Sequence, residues 1–160
     1  MPQDPSSQIR KQLVELLRSG YAHVGFEQVV RAFPPERRGS RPPGAPHTAW
    51  QLLEHMRIAQ WDILEFSRDS KHQSPKWPDG YWPKPDAPPD DRAWNHSIDQ
   101  FEADLKAFEA LIKDKARDLF EPFPHGDGQN LLREALTLAD HNSYHLGQLA
   151  FLLKQFGLEP

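Results

Sequence analysis

A chain of 160 residues, 38% hydrophobic and 26% charged, fits one globular domain with a sizeable apolar core. Its formal net charge of −4 argues against a nucleic-acid-binding surface, and no run approaches the roughly 18 apolar residues of a membrane span. Cysteine is absent, which excludes disulfides, thiolate metal ligands and a cysteine nucleophile. With no basic-then-apolar pattern in Met1-Pro2-Gln3-Asp4-Pro5-Ser6-Ser7, a cytoplasmic protein is expected.

In chain order, Asp4 or Ser6 is placed to cap a first helix running to about Ala32, with Ile9, Leu13, Leu16, Leu17, Val24, Val29 and Val30 as its apolar positions. Gly20 and Gly25 fall inside it and are read as tolerated. From Arg31 to Pro46 five prolines and four arginines (Arg31, Arg37, Arg38, Arg41) predict a loop. Thr48 caps a second helix, with Gln51 three residues on as its capping-box partner and a stripe of Leu52, Met56, Ala59, Ile63 and Phe66 reaching Ser67. A long connection follows, 67–90, whose prolines exclude a regular element and which carries Trp77, Tyr81 and Trp82. It either crosses over the helices or covers one end of them, and those aromatic residues either pin it down or wall an apolar pocket.

A third helix is predicted from Asp90 or Asp91, through Trp94, Ile98, Phe101, Leu105, Phe108 and Ile112, to a stop at Pro122 and Pro124. The fourth follows Gly128–Asn130 and ends near Phe156-Gly157. Four long amphipathic helices with no sustained strand alternation predict an all-α four-helix bundle.

The run Asp140-His141-Asn142-Ser143-Tyr144-His145-Leu146-Gly147-Gln148 carries the chemistry. Histidines four apart on a helix lie about 40° from one another, one turn apart. With Leu131 as the zero direction, His141 falls near 280° and His145 near 320°, on the flank of the apolar stripe, so both face inward. His55 lies about 60° from Leu52 on the second helix and flanks that core stripe in turn. Two rings from one helix and one from another make a three-nitrogen site between facing helices, with a fourth position left for water or substrate. A simple polar or core-filling role for the three rings is the alternative. His47 precedes the second helix and is read as a cap-region or pocket-wall residue. His23, His72, His96 and His125 are read as ordinary surface or loop histidines.

Leu53-Glu54-His55 together with His141-x-x-x-His145-x-Gly147-Gln148 resembles the DinB-like superfamily of bacterial proteins, over nearly the whole chain. The resemblance implies a four-helix bundle in which His55, His141 and His145 bind a divalent cation, commonly zinc or nickel. It also implies, as an activity of some relatives, activation of a low-molecular-weight thiol for attack on an electrophile. Since the chain has no cysteine, that thiol must come from solution. Gln148, one turn past His145, is a candidate to orient a ligand or a bound water; Gly147 is a candidate for close helix approach. The arginines of the 31–41 loop are candidates to hold the thiol's carboxylates, and no general base is apparent.

The expectation is thus a metal-dependent enzyme acting on a small-molecule substrate, with thiol transfer in stress or detoxification and hydrolysis as a variant. A non-catalytic metal-binding or stress-associated bundle is the competing reading. A homodimer is the expected assembly, and neither nucleic acid nor membrane is expected as a partner.

Overall fold

A computed structural model describes residues 4–18 and 22–160. Among these residues the chain is all-helical, with five α-helices, two short 3-10 turns, and one isolated bridge between Pro122 and Asn130 in place of any strand. The helices are α1 (Pro5–Leu17), α2 (Phe26–Arg31), α3 (Ala49–Arg68), α4 (Asp91–Lys113) and α5 (Leu131–Gln155). Helix α3 packs against α4 and α5, α1 packs against the same two, and α2 lies on α5. Trp94, Phe101, Phe108, Leu52, Leu53 and Leu138 fill the space between them, and Phe26 stacks on Phe101 at 4.0 Å. No helix of the described residues is long and apolar enough to cross a membrane.

The best-defined helix ends have local chemistry. Thr48 accepts from the Gln51 amide N–H while the Gln51 side chain accepts from the Thr48 N–H, both at 3.2 Å. Asn130 opens α5 by accepting from the Arg133 N–H at 2.9 Å. Gly157, at φ 72°, closes it with its N–H on the Lys154 carbonyl, a left-handed residue of the kind that commonly ends a helix.

Two boundaries differ from the sequence expectation. The single helix predicted to reach Ala32 is two helices: α1 ends at Leu17 and α2 starts after Gly25. The Gly25 N–H is taken by the Gln28 side chain at 3.1 Å, which starts a new helix rather than continuing the old one. Val24, counted among the apolar positions, is exposed in the gap, whereas Val29 and Val30 are fully buried. Gly20 lies outside the described residues.

Helix α4 stops at Lys113 rather than at the prolines. There the Asp114 side chain accepts from the Ala116 N–H at 2.9 Å, forming an Asx turn that competes with helix. The buried guanidinium of Arg10 donates to the carbonyls of Ile112, Asp114 and Arg117 at 2.6, 3.1 and 2.5 Å. It thereby satisfies acceptors that a helix C-terminus leaves bare.

Candidate metal centre

Helices α3 and α5 bring His55, His141 and His145 together. The Nε2 atom of His55 lies 3.0 Å from that of His141 and 3.1 Å from that of His145, and one nitrogen from each of the three lies within 4.8 Å of the others. His55 is 2% exposed and His145 7%. A tetrahedral ion with Zn–N bonds of 2.0–2.1 Å holds its nitrogen ligands about 3.3 Å apart. The spacing of the Nε2 atoms is thus compatible with a metal site.

The partners of the other ring nitrogens sharpen this. His55 Nδ1 lies 3.0 Å from the backbone carbonyl of Tyr81. A carbonyl only accepts, so His55 carries its proton on Nδ1 and presents a bare lone pair at Nε2. His145 Nδ1 lies 2.7 Å from the Gln148 Oε1, which assigns the same tautomer. Two lone pairs therefore face each other across 3.1 Å, an arrangement that repels unless a cation stands between them. His141 differs: its Nδ1 is buried without a hydrogen-bond partner, and its Nε2 meets that of His55. Burial, opposed by the Tyr81 carbonyl and reinforced by the neighbouring rings, pushes His55 down to about 4. Burial and the two neighbouring histidines push His141 down to about 4. Burial lowers His145 as well. All three nitrogens are therefore neutral at physiological pH, the form a metal requires.

The 69–90 connection supplies the rest of the surround. Trp82 lies flat on the His55 ring, at 3.8 Å and 3°, and His47 stacks on the other face of Trp82 at 3.9 Å. Tyr81 donates its hydroxyl to Asp62 at 2.6 Å, and His72 Nε2 meets the other oxygen of Asp62 at 2.7 Å. Burial and then Asp62 push the Tyr81 hydroxyl up to about 12, so it stays protonated as the donor. One loop residue thus anchors to α3 through its side chain and orients a histidine of α3 through its backbone.

The family model of the DinB superfamily matches residues 22–149, a span that takes in all three histidines and Gln148. The chain belongs to the DinB superfamily. No curated protein matches it, and no solved structure matches it. Of this DinB-superfamily chain, α1 and the last turns of α5 lie outside the matched span.

Other residues singled out in the sequence fall as follows. Gln148 touches His145, and His47 is a wall residue. Gly147 is not a point of close approach, since a Cβ there would meet nothing within 4 Å. The loop arginines are committed elsewhere. Arg38 pairs with Asp91 at 2.8 Å, and Arg41 with Asp86 at 2.6 Å. Arg31 pairs with Glu27 at 2.7 Å, and Arg37 lies over the Phe156 ring. Glu54 is occupied by Arg57 and Ser97. Trp77 is 69% exposed, while Tyr81 and Trp82 both hold the connection down and face His55.

His23, His96 and His125 are exposed, as expected, but His72 is half-buried on Asp62. The Tyr81–Asp62–His72 cluster went unread in the sequence, although one signal was present. Asp62 is seven residues after His55, two turns along the same flank of α3, where a carboxylate needs a partner.

Proposed function

We propose that this chain is a divalent-metal-dependent enzyme of four-helix-bundle build that joins a low-molecular-weight thiol to an electrophile, with His55, His141 and His145 holding the ion, zinc or nickel. What carries the reading is the opposition of His55 Nε2 and His145 Nε2 at 3.1 Å, with both Nδ1 protons engaged elsewhere. A divalent cation bound there would act as a Lewis acid, making a coordinated thiol nucleophilic near neutral pH.

The protein's own part is preparation. Burial keeps the ligand nitrogens unprotonated, the Tyr81 carbonyl and Gln148 fix two of the rings, and Trp82 keeps water off the His55 face. In the reaction, sulfur forms a bond to the electrophilic carbon, the leaving group departs with its electron pair, and the thiol proton passes to solvent. No oxidant or reductant is consumed.

A non-catalytic metal-binding bundle is the second reading, favoured by the near-complete enclosure of His55 and His145. Metal analysis of protein purified without a histidine tag tests what the two share. One divalent ion per chain is expected, lost in both His55→Ala and His145→Ala; an unchanged content in both variants contradicts the site. A thiol-by-electrophile screen on the loaded protein then separates them, because metal-dependent turnover is expected of the enzyme alone.

A further inference from the structure

A cavity of about 470 Å³ opens between residues 42–47 and α5; none of the three clustered histidines lines it, but Gln148, which meets His145, does. That volume lies within the range of small-molecule sites. Its wall is largely carbon, with Pro42, Pro43, Pro46, Leu52, Tyr144 and Phe151 contributing. The proline rings restrict the backbone on that side of the wall. Tyr144 and Phe151 are each 63% exposed, and the Tyr144 ring meets the His145 ring edge-on at 4.9 Å.

The polar side chains of the lining are His47, Tyr144, Gln148 and Gln155, and none of the lining residues is an acid, a lysine or an arginine. Arg41, the nearest loop arginine in sequence, donates to Asp86, to Gln51 and to the carbonyl of the wall residue Pro46; its side chain is not part of the wall, and its charge is met by Asp86. A carboxylate or phosphate placed here would be partly desolvated with no cation in the wall to meet it, Arg41 being paired with Asp86, which is costly.

The cavity adjoins the histidine cluster at two points. Gln148 lines it and also accepts from His145 Nδ1; His47 lines it and also stacks on Trp82, which covers His55. Gly147 lines it between these points, and the space its missing Cβ would enter is open.

We infer that this cavity binds the apolar body of an uncharged small molecule, that this molecule is the electrophile of the reaction proposed above, and that Gly147 keeps the cavity open. The inference rests on that reading for the molecule's role, but not for its binding. It also moves recognition away from the Arg31–Arg41 loop and any carboxylate-rich ligand.

Two fluorescent probes with the same aromatic skeleton test it: neutral N-phenyl-1-naphthylamine and its anionic sulfonate, 1-anilinonaphthalene-8-sulfonate. The neutral probe is expected to bind once per chain and about tenfold tighter than the sulfonate, with or without chelator. Gly147→Leu is expected to weaken it about tenfold, the effect of displacing one aliphatic side chain's worth of apolar contact. Because a mid-helix glycine is being removed, the melting temperature should hold or rise. Phe151→Glu, at an exposed ring, places a charge in the wall and should weaken the neutral probe independently of any packing change at Gly147.

Neutral-probe binding unchanged in both variants, or tighter binding of the sulfonate to the parent chain, overturns the assignment. Metal content measured on the same samples keeps the two ideas apart. Bound metal with probe binding indifferent to both substitutions removes the cavity site alone. No metal with the expected probe profile removes the metal reading and leaves the cavity.

Discussion

His55 is oriented in part by the Tyr81 carbonyl, and the Tyr81 hydroxyl ties that residue to Asp62. If the Asp62 contact is what holds the Tyr81 carbonyl on Nδ1, then Tyr81→Phe loosens a proposed metal ligand without replacing its imidazole. The expected result is a 10–100-fold loss of affinity for zinc, the usual effect of removing a group that orients a ligand. The visible spectrum of the cobalt-substituted protein should shift with it, while the helical circular dichroism stays unchanged. Wild-type affinity and an unaltered cobalt spectrum would show that Tyr81 only fastens the loop.

At this scale the three histidines were legible because helical spacing converts residue number into direction, and all three lie on helices whose core stripes are unambiguous. The Tyr81 carbonyl was not legible, because a backbone acceptor leaves no mark in residue type. Nor was the Trp82 stack, which depends on the path of a connection that has no periodicity.

Among the elements, α3 and α5 end close to where the sequence placed them, because their caps are local: Thr48 with Gln51, Asn130 with Arg133, and Gly157. The end of α4 was invisible for the opposite reason. Arg10, about a hundred residues earlier in the chain, donates to the carbonyls at that terminus, and no window of sequence around Lys113 contains that information. The same contact predicts a large effect for a conservative change. Arg10→Met keeps an apolar stem but removes the guanidinium, leaving one buried and two part-buried carbonyls without their donor, at an expected cost of about 3 kcal/mol from charged-donor bonds worth roughly 1.5–3 kcal/mol each, not fully additive. Urea unfolding measures it, and a loss under about 1 kcal/mol would mean that solvent replaces the guanidinium. The break between α1 and α2 is hard to read because both halves are apolar in the right period; among the described residues between them, Gly25 with its Gln28 cap marks where α2 starts.

For the whole molecule, burying three imidazoles next to one another makes metal-free stability depend on pH. His55 and His141 fall to about 4 in the fold, against about 6.5 for an unperturbed histidine. Between those values the unfolded chain binds more protons than the folded one, so stability falls as pH falls. The stability these groups contribute is complete above about pH 6.5 and is lost progressively down to about 4. The melting temperature of chelator-treated protein should therefore decline from pH 7 to pH 5, and a flat profile would contradict the burial of neutral rings.

The tie between the 69–90 connection and α3 has a further consequence, for how such a protein diversifies. Core-facing residues of the helices build the scaffold and carry the three nitrogens, whereas Trp82 and the Tyr81 carbonyl reach them from a loop. Loops tolerate insertion and exchange far better than packed helices do. The chemistry around one fixed imidazole cluster can therefore be rewritten by grafting a different loop, with the packed interior left as it is.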